Sequence, residues 1–188
     1  GCAVLSAPPE VQLYRFGVAE QTVSQLPVDA PTLSLRRVEF NDAAETDRVV
    51  GVTGNEVAYV AGARWVAPAQ DLYTAALEGA FATRAQRVRL LGRREGTRGD
   101  QALDIDVRDF EARYSSPGAV PTIIITARAR ILDSRDLAAE RVFTVSQPAT
   151  ENRVSAIVDA FELATRDLNT QIVGWADQTV VVAPPTAR

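Results

Sequence analysis

Histidine, lysine and methionine are missing altogether from the 188-residue chain, and cysteine occurs once, at Cys2. Without imidazole no side chain has an ordinary titration near neutral pH to serve as a general base, and no nitrogen ligand is available for zinc, copper or iron. A single thiol excludes thiolate metal sites and disulfides within the chain. The lack of lysine removes Schiff-base chemistry and any Walker-type phosphate lysine. Ser34, Ser115, Ser116 and Ser134 have no histidine to activate them, so a serine hydrolase of the usual kind is excluded. No apolar run approaches the roughly 18 residues of a membrane-spanning helix. What remains for catalysis is carboxylate, hydroxyl and guanidinium groups. The expectation is a protein that is not an enzyme and uses no metal or cofactor.

The residues that are present describe a folding chain. Apolar residues make up 46% of it, enough for one ordinary core. The net charge of -4 and a pI of about 5.0 give no broad cationic field, so nucleic acid is not an expected partner. All twenty basic residues are arginine. One domain over residues 11–175 is expected, preceded by a tether over 1–10 and followed by a flexible tail over 176–188.

The chain opens Gly1-Cys2-Ala3. A small residue directly before a cysteine is the end of a bacterial lipobox, in which the cysteine becomes acylated once the apolar signal is removed. Ser6, Pro8 and Pro9 follow in a stretch that reads as a flexible spacer between bilayer and domain. Cys2 is therefore the expected lipidation site; the alternative is an incidental or buried free cysteine. Ala3 in place of aspartate fits, by the enterobacterial sorting rule, the outer membrane.

Periodicity supplies the elements. Strands are expected at Val11–Gly17, at Leu33–Phe40 with a bulge near Arg36-Arg37, and in a hairpin of Val49–Val52 with Glu56–Val60 around Thr53-Gly54-Asn55. Pro68 opens a helix whose stripe is Leu72, Tyr73, Ala76, Leu77, Ala80 and Phe81. Leu103, Ile105 and Val107 alternate with polar residues, and the apolar phase then jumps to Phe110, which predicts a bulge at Arg108-Asp109. Ile123 to Ile131 alternates most cleanly, and a short connection at Asp133–Asp136 leads to a partner strand through Phe143 and Val145. A last helix is expected from an N-cap at Thr150 to Gly174-Trp175, with Ile157, Phe161, Leu168 and Ile172 on its apolar face. The fold class is α+β: a mostly antiparallel or mixed sheet, one face open to water, with two main helices packed on the other.

Three features invite a site. Asp104 and Asp106 share one strand face at roughly 7 Å, a spacing that suits a carboxylate pair or a weak cation site as well as a solvated face. Gly92 to Gly99 packs three arginines, Arg93, Arg94 and Arg98, among three glycines; it is either an anion-gripping loop or a plain surface connection. Trp65 and Trp175 sit at helix boundaries, where an indole plugs the edge of a core or meets a partner. Arg64, Trp65, Arg93, Arg94 and Arg98 are the candidates for binding a partner or a lipid headgroup.

Taken in order, Leu13-Tyr14-Arg15-Phe16, the segment Tyr59 to Trp65 ahead of Leu72, Leu77 and Phe81, the strand Leu103 to Glu111, Ala127 to Asp133, Phe143, and Ala160-Phe161 on the way to Trp175 resemble the ABC-type transport auxiliary lipoprotein family, the PqiC/YmbA-like group. The resemblance implies a lipid-anchored, periplasm-facing component, usually of the outer membrane. It would act by protein docking beside an ABC transporter and an MCE-domain protein in moving lipid between membranes. It brings no catalytic residues. Phospholipid is a further candidate ligand. A different role remains open at this point, that of a lipid carrier or outer-membrane assembly lipoprotein with an apolar groove between helix and sheet.

Overall fold

The computed structural model describes residues 10–17 and 22–180. Its organising element is β6 (Gln101–Tyr114), a 14-residue strand with both edges paired. Along one edge, β7 (Thr122–Asp133) runs antiparallel to it, and β8 (Asp136–Pro148) runs antiparallel to β7. The other edge is divided. Its first half pairs in parallel with β2 (Thr32–Phe40), from Leu33↔Gln101 to Phe40↔Val107; its last residues pair in parallel with β3 (Arg48–Thr53), from Gly51↔Ala112 to Thr53↔Tyr114. Beyond β3 lies antiparallel β4 (Glu56–Trp65), bordered by the short parallel strand β1 (Gln12–Tyr14); beyond β2 lies β5 (Arg89–Leu91), also parallel. The sheet is thus mixed and eight-stranded.

The change of partner along β6 coincides with a register shift between Val107 and Asp109. A bulge inserts one residue and so reverses the faces beyond it. Before it, Leu103, Ile105 and Val107 face the core; after it, Phe110 and Ala112 do. The gap between β2 and β3 is bridged by Asn41. Its backbone N–H donates to the Val107 carbonyl at 3.2 Å, its side-chain amide donates to the Arg108 carbonyl at 2.5 Å, and its side-chain oxygen accepts from Ala44 N–H at 3.1 Å. The β2 pairing ends at Val107 and the β3 pairing resumes at Ala112, and between them the Asn41 side chain supplies a donor to the Arg108 carbonyl. The second expected bulge is also present, between Leu35 and Arg37 of β2.

Phe110, turned inward by the bulge, is the hub of an aromatic cluster. Its ring lies 5.2 Å from Phe16, 5.3 Å from Phe40 and 4.9 Å from Phe161, and 6.4 Å from Trp65. Phe161 belongs to α2 (Val154–Thr179), and Phe40 touches Tyr73 of α1 (Ala69–Arg84) at 5.6 Å, so both helices cover the same face. The fully buried alanines Ala127 and Ala129 of β7 let α2 approach the sheet closely. Gly17 ties the β1 segment to the helices. Its φ is +72°, a Cβ there would stand 2.3 Å from that of Ala76, and its N–H donates to Glu162 Oε2 at 2.5 Å.

The last helix differs from its expected bounds at both ends. It starts at Val154 with Arg153 as N-cap and no side-chain cap; Thr150 is held short of it because the Ala149 N–H still pairs with the Pro121 carbonyl at 2.9 Å. It continues past Trp175 to Thr179, and Val180 is buried, so the part of the expected tail up to residue 180 belongs to the fold; residues 181–188 lie outside the described residues. Asp177 explains the extension. A carboxylate in a last turn opposes the helix dipole. Here it accepts three consecutive backbone N–H groups, from Gln86 at 2.8 Å, Arg87 at 2.9 Å and Val88 at 3.0 Å, and so clamps the turn between α1 and β5.

Asp177→Ala is expected to cost about 1–2 kcal/mol, because it removes a charged acceptor from three amides and strands that of buried Val88; a denaturant midpoint unchanged from the parent would contradict this. The buried Tyr73 hydroxyl has no hydrogen-bond partner among the described residues, and burial holds the phenol above its ordinary range. Tyr73→Phe is therefore expected to leave stability unchanged or raise it by up to about 1 kcal/mol; a loss larger than that in urea melts would show that the hydroxyl is bonded in solution.

Candidate functional site

Antiparallel pairing of β6 with β7 sets Ala102 opposite Leu132. The loop that enters β6 therefore lies beside the turn that leaves β7. The Gly92–Gly99 loop and the Ser134-Arg135 turn form the rim of an open cleft of about 580 Å³, with Ser34 and Arg36 of β2 on its wall. Gly99 permits the close packing at its base: a Cβ there would stand 2.9 Å from the Ser34 nitrogen and hydroxyl, and the Gly99 N–H donates to Ser34 Oγ at 2.6 Å. Asp100 closes the base by accepting from the Thr32 N–H and hydroxyl, both at 2.9 Å. Those bonds hold its carboxyl below the ordinary value of 3.8.

Behind the cleft, the outer face of the sheet carries a charge ladder. Asp104 of β6 is only 2% exposed, yet both its oxygens are engaged: Arg36 Nε donates to Oδ1 at 2.9 Å and Arg36 Nη2 to Oδ2 at 2.5 Å. Arg130, its register partner on β7, stands 4.0 Å away. One step along, Asp106 faces Arg128 and Arg108, each at 3.4 Å. A carboxylate column between arginine columns satisfies charges that a strand face would otherwise present as like-charged rows. Asp104 is thus a buried, doubly bonded anion and not part of a solvated face. The two aspartates fall together as expected, but each is committed to arginine. Among the described residues no group of three carboxylate or thiol side chains is placed to hold a metal ion.

The other sequence candidates divide by burial. Trp65 is 1% exposed, with its ring 4.9 Å from Phe16 and 5.3 Å from Phe161. It is a core residue and cannot meet a partner, because the β4 register turns its side chain under the helices; this corrects the surface role considered for it. Trp175, 9% exposed, packs on Phe143 and closes the core at the β8 side. Arg64 is exposed and paired with Asp47 at 3.1 Å, on the opposite side of the sheet from the cleft. Arg93, Arg94 and Arg98 are exposed and have no acidic partner among the described residues. Only Arg98 lines the cleft. Cys2 lies outside the described residues. Sequence reasoning did not bring Arg36, Ser34 and Arg135 to this place. The signal was the hairpin itself, since pairing two strands across one turn fixes what flanks their far ends.

The arrangement defines an α+β domain of one mixed sheet backed by two helices, with an arginine-bearing cleft at one end of its hairpin. The family model for the ABC-type transport auxiliary lipoprotein component matches residues 14–173, and the chain belongs to that family. Its setting is accordingly ABC-type transport at the cell envelope. A solved protein from Xanthomonas campestris, of family DUF330, is 26% identical over 89% of this chain and 96% of its own, with a TM-score of 0.70. A second solved protein of uncharacterised function is 13% identical, with 88% and 98% covered and a TM-score of 0.69; it shows the fold alone. So does a Chlamydia trachomatis protein, 8% identical over 80% and 97%, at a TM-score of 0.56. No curated protein matches the chain.

The Asp100 contacts carry a pH signature. A carboxyl held below its unfolded value stabilises the fold above that value, and the contribution disappears as pH falls through the lower folded value. Asp100→Asn is therefore expected to narrow the gap in thermal midpoint between pH 6 and pH values below the ordinary carboxylate range. Parallel midpoint-versus-pH curves for parent and variant would count against this role.

Proposed function

We propose that the protein is a lipid-anchored, periplasm-facing accessory subunit of an MCE/ABC-type intermembrane lipid transport system, acting by docking and not by catalysis. The family match over residues 14–173 carries this reading. The small residue before Cys2 and the Ala3 after it match the residue pattern of a lipidation site and, through Ala3, favour the outer membrane. Among the described residues no helix is long and apolar enough to cross a membrane. One acyl chain gives only marginal attachment, so two or three chains on Cys2 would be required for a stable one. The state of the polar side chains supports a docking role: Asp104 and Asp177, the best-placed carboxylates, are taken up by Arg36 and by three backbone amides. The helix–sheet interface is filled by Trp65, Tyr73, Leu77, Phe81 and Phe161, and the cavity between α1 and α2 measures about 30 Å³, too small for an acyl chain.

Protein isolated from its native host is expected to carry acyl groups on Cys2 by mass spectrometry. After gentle detergent extraction it is expected to co-purify with an MCE-domain protein and an ABC ATPase. An unmodified thiol sinks the anchor. Acylated protein that brings down neither partner sinks the transport assignment.

A further inference from the structure

We propose that the cleft between the Gly92–Gly99 loop and the Ser134-Arg135 turn binds a phosphate-type anion, with Arg98 and Arg135 as its principal ligands and Arg36 and Ser34 on the wall behind.

Arg98 and Arg135 both line the cleft and neither has an acidic partner among the described residues, in a protein whose net charge is negative. Two unpaired guanidiniums at one concavity repel each other, and an anion between them removes the repulsion and gains charge-assisted hydrogen bonds. Arg36 adds a pre-positioned donor. Its Nε and Nη2 are fixed on buried Asp104, its side chain is 48% exposed, and its Nη1 makes no other bond among the described residues. An arginine held this way loses little freedom on meeting a ligand. The Ser34 oxygen is held by the Gly99 amide, which leaves the hydroxyl proton free to donate. Asp100 is the one acidic residue on the lining, and its Oδ2 is turned onto Thr32. Gly96, where a Cβ would meet nothing within 4 Å, leaves the loop backbone open beside the cleft for a bound oxyanion. Ser134, at φ 57°, tightens the turn that presents Arg135.

The chemistry is that of a phosphate monoanion or dianion, whether free or as the phosphodiester of a lipid headgroup. The site stands apart from the docking reading, since it would bind its anion whichever partners the protein has.

The test uses the full chain with a free Cys2 thiol, so that no acyl group contributes. Inorganic phosphate is titrated while the Gly96 and Gly99 amides and the arginine Nε signals are followed by NMR. In parallel, co-sedimentation is measured with phosphatidylcholine vesicles with and without phosphatidylglycerol. Two charge-matched variants are compared, Arg98→Gln/Arg135→Gln inside the cleft and Arg93→Gln/Arg94→Gln outside it. Saturable phosphate shifts at Gly96 and Gly99 that weaken about tenfold in the first variant and less than about twofold in the second are expected. Phosphatidylglycerol-dependent sedimentation with the same variant dependence identifies the headgroup as a source; shifts with phosphate alone identify the free anion. Neither response, or equal weakening in both variants, overturns the proposal, the latter because diffuse surface charge would then account for the binding.

Discussion

A single bulge at Val107/Asp109 determines how the rest of the domain is arranged. Without it β6 would keep one partner along each edge and one face along its length. With it the strand hands over from β2 to β3, the hydrophobic set shifts by one residue, and Phe110 turns into the centre of the aromatic cluster. The cluster in turn fixes where α1 and α2 lie, because Phe40, Trp65 and Phe161 come from opposite sides of the handover. Asn41 makes the gap tolerable by donating to a carbonyl that lies between the two paired stretches.

The same strand separates the two faces in chemical character. Its core face is apolar, and its outer face holds the aspartates that arginines from β2, β6 and β7 compete for. Exposed ion pairs contribute little each, but Asp104 is buried, so its pairing with Arg36 is required in order to avoid an uncompensated charge. The carboxylates that looked most like chemistry in the sequence are thereby structural. What is left uncommitted is a set of arginines on loops at one end of the hairpin, where a partner or an anion can reach them. This is the link between fold and role: the interior and the ladder hold a platform still, and its periphery is free to bind.

Much of this was legible beforehand. Both bulges could be read as phase jumps in apolar alternation, from Leu35 to Val38 and from Val107 to Phe110, since a two-residue period cannot otherwise shift. The β7 strand followed from five alternating apolar residues between Ile123 and Ile131, and both helices from their stripes. Less was legible where partners are distant in sequence. The parallel pairing of β2 and β3 with β6 leaves no local mark, and Arg89–Leu91 is too short to declare itself as β5. The end of α2 was hidden because Gly174 and Trp175 read as a stop, whereas Asp177 acts on amides some ninety residues earlier in the chain. Of the site, the arginine-rich loop was visible from composition, but its neighbours Arg36 and Arg135 came only with the register. Trp65 read either as a plug at the edge of the core or as a partner contact, and its burial decides for the core; the sequence left both open because the facing of a residue at a strand end is ambiguous in the pattern.

Native-state hydrogen exchange along β6 tests the shared-strand account most directly. If one strand joins both halves of the sheet through the Phe110 cluster, amides before the bulge, such as Ile105 and Val107, and after it, such as Phe110 and Ala112, exchange with a common free energy equal to that of global unfolding and fall together with added denaturant. Two separate free energies, with one side of the bulge opening while the other stays protected, would contradict it.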